Sequence, residues 1–250
     1  MAEANQLGFR SPAPYISRRG FVVGGVAAAG LMIHGPALAG PPRLFVFVPT
    51  DEKPRSVEKA LQSSMPGLVT TVFGKAADFE SELAAQKPEA ALALAPGLQA
   101  LGLSPVLRGA RSGATEEEFV LLTVDAPIAP KALGSETVGV FGFMGRQETK
   151  KFCGKLMGTG DQKVKTVTKY ADLLPMLQFN AAKGVLLPRR FTKALMGSSK
   201  LKLVINELPS AKVGLPAVAV MSPSVAGAVQ SAIRGMNGEA KGYLGVDAWT

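Results

Sequence analysis

The chain has 250 residues, of which 47% are hydrophobic and 19% charged, so it can bury a core and disorder as its dominant state is excluded. It contains one cysteine and one histidine, which excludes a disulfide scaffold and a zinc site built from several Cys or His ligands. A Ser-His-Asp triad would require the histidine, His34, to remain in the folded protein.

Residues 1–39 have the pattern of an export signal. The paired arginines Arg18 and Arg19 are followed by a phenylalanine, a weakly hydrophobic run rich in glycine and alanine, and a small-x-small end that closes at Ala39. This order resembles the twin-arginine (Tat) signal, although Val23 stands where the usual lysine lies. We predict export to the periplasm by the Tat machinery with cleavage after Ala39. The alternative is that this segment is retained as a membrane anchor.

Cleavage at this point would change the chemistry of the exported protein. The leader carries three arginines, one glutamate and the histidine, so the net charge falls from +9 to +7 and no imidazole remains. Histidine is then excluded both as a general base and as a metal ligand. Cys153 alone cannot hold an iron–sulfur cluster, and a haem would lack its usual axial histidine. We therefore predict neither a metal nor a cofactor.

After the leader, short apolar runs alternate with helical segments. The predicted elements are strand 43–49, helix 56–65, strand 68–73, helix 76–86 and strand 90–94. This βαβαβ order favours parallel pairing. Two further strands, 105–111 and 119–125, are predicted to pair through a turn at Ser112 and Gly113.

A proline-bearing connection at 125–135 leads to a second α/β series. Its predicted elements are strand 137–141, a helix from 147 to 157, strand 163–168, a helix capped by Asp172 and running to Ala182, strand 185–187, helix 190–196 and strand 201–205, before a last strand at 213–221 and a helix at 225–233. We predict an α/β protein of two lobes with mixed, mainly parallel sheets joined by a hinge. Lobe 1 is expected at 40–128 and 208–250, and lobe 2 at 129–207.

This order of elements resembles the type 2 periplasmic solute-binding proteins of ABC transporters, especially the phosphonate- and phosphate-binding group. The resemblance rests on R-L-F-V-F-V-P-T at 43–50, on E-F-V-L-L-T-V-D-A-P-I-A-P-K-A-L-G-S-E-T-V-G-V-F-G at 118–142, and on K-G-V-L-L-P at 183–188 followed by L-K-L-V-I-N-E-L-P at 201–209. It implies that the second stretch enters lobe 2 and that the segment after Leu201 returns to lobe 1. It also implies a ligand trapped in the cleft by lobe closure, and a membrane permease that recognises the closed form.

The turn at 142–149 is the first candidate site. Its glycines let the backbone approach a ligand, and the helix that follows presents unpaired N–H groups at its positive end. Arg146 offers a bidentate contact to a carboxylate or phosphate. The candidates in this turn are Gly145, Arg146, Gln147 and Thr149. The alternative is an ordinary turn with a solvated Arg146, and the solute-binding family usually has a Ser/Thr-Ser-Gly type turn at this point.

Further candidates follow other strands of the two predicted sheets, where open parallel sheets place ligands. They are Thr50, Asp51, Gly97, Arg111 and Arg189. Thr50 and Asp51 also suit a helix-capping turn, and a surface arginine pair at 189–190 is often simply solvated. Arg108 and Arg111 have odd spacing and face opposite sides of their strand, so only one of them can point into the cleft.

We predict an exported solute-binding protein that captures a small anionic ligand between its lobes and works with an ABC permease. One alternative is a non-transport envelope protein that keeps the fold for contact with a partner. Another is an enzyme on the same scaffold, with Cys153 as nucleophile but no histidine to activate it. Because Cys153 lies in the middle of a predicted helix beside Phe152, we expect it to be a small buried hydrophobe instead. Apart from Phe152 and Tyr170, the lysines between 150 and 169 lack the aromatic neighbours needed for base stacking. We expect a solvated face or contact with an anionic envelope surface there, and no nucleic acid.

Overall fold

The computed structural model describes residues 40–250, apart from the side chains of 209 and 210. The predicted export signal, its cleavage point at Ala39 and the alternative membrane anchor lie outside the described residues. The elements, in chain order, are β1 (Arg43–Phe47), α1 (Pro54–Ser64), β2 (Val69–Val72), α2 (Ala76–Gln86), β3 (Ala90–Leu94), α3 (Ala95–Ala100), β4 (Leu107–Ala110), β5 (Glu116–Val124), β6 (Thr137–Phe141), α4 (Arg146–Met157), β7 (Lys163–Val167), α5 (Leu173–Gln178), β8 (Gly184–Pro188), α6 (Thr192–Ser198), β9 (Leu203–Gly214), β10 (Pro216–Val220), α7 (Ala226–Arg234), α8 (Gly238–Leu244) and β11 (Ala248–Trp249).

The first sheet belongs to lobe 1 and, within the described residues, has six strands in the order β11-β4-β10-β3-β1-β2. β1 pairs in parallel with both β2 and β3, while β10 runs antiparallel to β3. Four of the five β1 residues and all five β3 residues are buried. Strands buried on both faces read as continuous apolar runs, which is why the sequence identified them.

The second sheet forms lobe 2, with five described strands in the order β7-β6-β8-β5-β9. β6 pairs in parallel with β7 and β8, and β5 pairs antiparallel with β8 and β9. The predicted α/β class with two lobes and mixed sheets is thereby confirmed. The sheets are not mainly parallel as predicted, since five of the nine described strand pairs are antiparallel.

The predicted pairing of strands 105–111 and 119–125 is wrong. β4 pairs with β10 and β11, whereas β5 lies in the second sheet, and only an isolated bridge joins Arg111 to Ala114. The apolar run from Phe119 to Leu122 is buried in the core of lobe 2, which it can reach only from the second sheet. The chain therefore crosses between the sheets just before Glu116, earlier than the predicted boundary at residue 128.

The return crossing lies beside the outgoing one. Glu116 pairs with Gly214 at the end of β9, and the Leu215 N–H donates to the Thr115 carbonyl at 2.9 Å. These two adjacent backbone segments form the connection between the lobes. Two neighbouring strands of this kind can act as a hinge because a few residues at element ends absorb the change in φ and ψ.

Three short elements escaped the sequence analysis: α3, α8 and β11. α8 has only seven residues and begins at a cap in which Asn237 Oδ1 accepts a hydrogen bond from the Ala240 N–H at 2.9 Å. The predicted helix to Ala182 ends at Gln178, and the Asp172 side chain makes no capping hydrogen bond. The left-handed Asn180, at φ 51°, turns the chain instead.

Candidate interlobe site

Aromatic side chains join the two lobes at the ends of their central strands. Phe47 at the end of β1 stacks on Phe141 at the end of β6, with ring centroids 6.2 Å apart. Tyr170 lies 5.1 Å from Phe141 and stacks on Phe191 at 4.2 Å. Phe47, Phe141 and Tyr170 are each at most 3% exposed. The centre of the interlobe contact is therefore filled by protein, and any ligand must bind beside these rings.

A cleft of about 830 Å³ opens beside the aromatic rings. Its lobe 1 wall comes from the loop after β1, the turn at 111–112 and the segment from α8 to residue 247, while Arg190 and Phe191 form its lobe 2 wall. The lining residues are Pro49, Thr50, Asp51, Glu52, Arg111, Ser112, Arg190, Phe191, Glu239, Gly242, Tyr243, Gly245, Val246 and Asp247. The volume is in the range of small-molecule sites.

Arg190 is fixed in this cleft by three contacts. Its guanidinium carbon lies 4.6 Å from the centroid of the Phe191 ring, and Nη1 donates to the Gly245 carbonyl at 3.4 Å. Nε lies 3.1 Å from Glu117 Oε2 but is not directed at it as a hydrogen-bond donor. A Cβ on Gly245 would lie 2.3 Å from Nη1, and the backbone φ there is +72°. The positive φ favours glycine at 245, and any larger residue would displace the end of the Arg190 side chain.

Glu117 is the half-buried counterion of Arg190, with 15% of its side chain exposed. Burial raises the pKa of its carboxyl above the ordinary value, while the charges of Arg190 and Arg111 oppose that rise. Burial also raises the pKa of the Tyr170 hydroxyl, and the charge of Glu117 adds to that rise. The side chains of Arg190 and Glu117 are 22% and 15% exposed, so their charges interact in a partly desolvated environment.

The lobe 1 side carries four carboxylates. Asp51 Oδ1 accepts from the Ala171 N–H across the lobes at 3.3 Å, and Asp247 Oδ2 accepts from the Ser112 N–H at 2.7 Å. Among residues 40–250, neither Glu52 nor Glu239 forms an ion pair. No three metal-ligating side chains in that same range gather closely enough to hold a metal ion. The lining thus offers two guanidinium groups and four carboxylates.

Three of the predicted candidates, Thr50, Asp51 and Arg111, line this cleft. Of the two arginines on opposite faces of their strand, Arg111 is the one that faces the cleft, while Arg108 is exposed and does not line it. Thr50 and Asp51 came from the rule that ligands bind beyond the carboxyl ends of strands, and Arg111 came from its place on the strand that leads to the crossover. Their role in binding remains a prediction.

Arg189, in contrast, lies outside the cleft. Its Nε donates to Glu118 Oε2 at 2.9 Å, and its Nη2 donates to Glu207. These bonds raise the pKa of the Arg189 guanidinium, with the Glu207 hydrogen bond as the main cause. Arg189 and Arg190 therefore point in different directions, which depend on the turn after β8, and a role of Arg189 in binding remains a prediction.

The turn at 142–149 also lies away from the cleft. Phe143 and Met144 are buried, and a Cβ on Gly97 would lie 3.1 Å from the Phe143 carbonyl oxygen. The Thr149 hydroxyl donates within the turn, at 3.0 Å to the Met144 carbonyl and at 3.1 Å to that of Gly145. Gly97, Gly145 and Thr149 are thus in packing positions, while Arg146 and Gln147 are exposed outside the cleft lining.

The place where an anion was expected at the start of α4 is taken by a side chain of lobe 1. A Cβ on Gly145 would lie 3.2 Å from Glu80 Oε2 of α2. A carboxylate is the charge that a helix N-terminus favours. A carboxylate of α2 therefore lies beside Gly145, and anion binding at this turn stays a prediction.

The sequence analysis missed the cleft residues that follow α7. Glu239, Tyr243, Gly245 and Asp247 come from α8 and the loop after it. α8 has no long apolar periodicity, and its cleft residues meet the turn at 111–112 across 135 positions of sequence. No local pattern in the sequence marks such a contact.

Cys153 is fully buried in α4, as the sequence analysis predicted. Burial raises the pKa of its thiol to about 12. The side chain is therefore an uncharged thiol at neutral pH, which is a poor nucleophile.

No known family model matches the sequence, and no curated protein matches it either. Solved structures do resemble it. Tv2483 bound to L-arginine has a TM-score of 0.56 at 10% identity, with 84% of this chain and 93% of that chain covered. The substrate-binding protein of an amino acid ABC transporter has a TM-score of 0.53 at 15% identity, with 81% and 96% covered.

The fold is that of the type 2 periplasmic binding proteins. The VFT2 domain of BvgS from Bordetella pertussis shares it, with a TM-score of 0.51 at 14% identity over 82% of this chain and 92% of that domain. These identities establish the fold alone. The resemblance stated from the sequence is confirmed at that level, while the phosphonate- and phosphate-binding subgroup and the Tat signal remain predictions.

Proposed function

We propose that this protein is an exported solute-binding protein that holds a small ligand in the interlobe cleft and presents it to an ABC permease. The observation that carries the proposal is the cleft itself, which has walls from both lobes and a firmly positioned Arg190. A ligand that touches both walls stabilises the closed arrangement by its differential affinity for that state. Export through the Tat machinery to the periplasm is part of this proposal.

The ligand that suits this lining carries both charges, as an amino acid does. Arg190 and Arg111 can receive a carboxylate, and Asp51 and Glu239 can receive an ammonium group. Four carboxylates against two guanidinium groups do not favour the purely anionic solute predicted from the sequence. Two proteins with this fold are described as bound to L-arginine or as serving an amino acid transporter, which supports the same ligand class.

A thermal-shift and calorimetry screen tests the proposal. We expect amino acids to raise the melting temperature, because a ligand at about 100 times its Kd adds about 2.7 kcal/mol of stability. Phosphate, sulfate and dicarboxylates form the anionic arm of the screen. A shift with these alone would support the anionic ligand instead, and no shift with any solute would contradict solute binding.

Matched arginine variants locate the site. We expect Arg111→Gln to weaken the binding of a ligand carboxylate about tenfold, the value of a lost charged hydrogen bond. Arg108→Gln, on the opposite face of the same strand, is the control and should leave affinity unchanged. Equal effects of the two substitutions would place the ligand elsewhere.

A second function is favoured by the aromatic contacts between the lobes. The rings of Phe47, Phe141, Tyr170 and Phe191 form one continuous contact between the lobes. Such a contact suits a non-transport envelope role based on contact with a partner. Small-angle scattering distinguishes the two functions. A radius of gyration that no solute changes, combined with a flat thermal-shift screen, would favour the partner-binding role.

A further inference from the structure

We propose that the end of lobe 2 opposite the cleft docks on the surface of an anionic phospholipid bilayer. We call this end the distal face and define it by Lys131, Lys163, Lys183, Lys200, Lys202 and Phe179. The proposal is independent of what binds in the cleft.

Strand register places three of these lysines in one row. Lys163 opens β7 and pairs with Thr137, which opens β6. The Lys183 N–H donates to the Thr137 carbonyl at 2.9 Å just before β8, and the Lys202 carbonyl accepts from the Asp125 N–H at 2.8 Å just before β9. All three lysines are exposed. Since neighbouring strands lie about 4.8 Å apart, the row spans about 20 Å across the sheet end.

Two more lysines extend the row. Lys200 precedes β9, and Lys131 lies beside the C-terminus of α4, because a Cβ on Gly158 would be 3.6 Å from its Cε. Three exposed acids, Asp125, Glu136 and Asp161, share this end of the described chain. Lysines outnumber them, and some of that positive charge complements the carboxyl ends of the nearby helices. The charge alone would therefore suit an ordinary solvated surface.

The exposed ring of Phe179 points to a bilayer as the partner of this face. Its ring is 81% exposed at the end of α5, while every other phenylalanine in residues 40–250 is buried or half-buried. The backbone beneath it is held, since the Phe179 N–H donates to the Pro175 carbonyl at 2.9 Å and Asn180 is left-handed. Lys183 Nζ donates to Asn180 Oδ1 at 3.1 Å and so lies close to the ring. The fold thus presents an apolar ring on a fixed turn beside a lysine.

An exposed aromatic ring among lysines matches the chemistry of a bilayer surface. The ring enters the boundary between headgroups and acyl chains, and the lysines approach the lipid phosphates. A single-stranded nucleic acid would need several stacking rings along a groove, and this face has one. No described helix is long and apolar enough to span a membrane, so the contact would be peripheral.

This orientation leaves the cleft open. Arg190 follows the far end of β8, and Lys183 precedes its near end. A five-residue strand separates the two ends by about 17 Å. A protein docked by its distal face would therefore hold the cleft away from the lipid surface.

Sedimentation with sucrose-loaded vesicles tests the proposal on the purified protein. We expect binding to phosphatidylcholine vesicles that contain about one third phosphatidylglycerol, none to pure phosphatidylcholine, and release by high salt. Phe179→Ser should lower the partition coefficient about tenfold, because the ring loses its apolar environment. The combined Lys163→Gln, Lys183→Gln and Lys202→Gln variant should lower it about a hundredfold, since each surface lysine contributes about fivefold.

Two control variants test whether vesicle binding needs the distal face or only exposed apolar and lysine side chains anywhere on the protein. Val106→Ser removes an apolar side chain that is 44% exposed on lobe 1, and Lys53→Gln, Lys59→Gln and Lys75→Gln together remove three exposed lysines of lobe 1. Both controls should bind vesicles as the parent does. The proposal would be overturned by an equal loss of vesicle binding in the lobe 1 variants or by binding to neutral vesicles. It would also be overturned if the protein bound no vesicles at all, or if single-stranded DNA displaced it from them.

Discussion

The loop after β1 and the turn after β6 occupy the same position in their respective sheets, at the carboxyl end of a central strand. Thr50 and Asp51 open onto the cleft, whereas the turn at 142–149 packs against lobe 1 beside Gly97 and Glu80. Topological position marks both as candidate sites. The difference between them comes from what the opposite lobe places against each one.

We expect the largest loss of stability from a substitution at the strand ends beneath these two segments. Phe141→Ala removes the ring that joins Phe47 to Tyr170 across the lobes, and we expect it to lower the free energy of unfolding by about 3–5 kcal/mol. Urea denaturation measures the change. Phe179→Ala removes the same ring from an exposed position and should change stability by less than about 0.5 kcal/mol. Similar losses in the two variants would show that the interlobe rings are not a core.

Substitution of Arg190 tests the cleft side of the comparison. Arg190→Gln leaves the half-buried Glu117 without its nearest cation, so we expect the free energy of unfolding to fall by about 1–3 kcal/mol at neutral pH. We also expect ligand binding to weaken by about tenfold or more. Calorimetry and urea denaturation measure the two effects. Unchanged affinity with lowered stability would make Arg190 a structural residue only.

The same residue pair predicts a pH dependence. Burial raises the pKa of Glu117 above its ordinary value of 4.5, so the folded state binds more protons than the unfolded one. The contribution of Glu117 to the free energy of unfolding therefore falls as pH rises from 4.5 through the folded-state pKa. Arg190→Gln removes a positive charge that lowers the pKa of Glu117, so in this variant the decline of stability with pH should extend to higher pH. The free energy of unfolding should be measured across this pH range for the parent protein, for Arg190→Gln and for Glu117→Gln as the control. Parallel pH curves for all three proteins would contradict the assignment to Glu117.

Substitution of Glu80 tests the turn after β6, and its expected effect on stability is smaller. Glu80→Gln removes the carboxylate that lies beside Gly145 at the start of α4, and we expect a loss of about 0.3–1 kcal/mol that added salt reduces. Glu82→Gln on the same helix is the control, since its hydrogen bond from Gln86 can persist. A stabilising effect of Glu80→Gln would show that the helix end does not need this anion.

The smallest effect is expected at Arg189, the neighbour of the cleft arginine. Its ion pairs with Glu118 and Glu207 are solvent-exposed, and exposed pairs contribute about 0–1 kcal/mol. Arg189→Gln should therefore leave ligand affinity unchanged in calorimetry and stability nearly so. Weaker ligand binding in this variant would restore Arg189 to the site.

Much of the fold was accessible from local sequence patterns. The helix at 76–86 and the strands at 90–94 and 137–141 have the predicted bounds, because continuous apolar runs and helical spacing are local signals. The pairing of β5 was not accessible, since a strand that can close either sheet carries no mark of its partner. The cleft was accessible only in part: Thr50 and Asp51 were found from a strand end and Arg111 from its place on the strand that leads to the crossover, while Gly245 and Asp247 were not found.

By itself, the sequence determined the class of the fold, the buried state of Cys153 and the apolar strands of both lobes, since periodicity and composition fix which residues must leave water. Tertiary structure decided which carboxylate lies beside the start of α4, which member of the arginine pair faces the cleft and which ends of the lobes meet. These depend on side-chain direction and on contacts such as that of Ser112 with Asp247 across 135 positions. Local pattern cannot encode them, because each needs two distant segments to be positioned first.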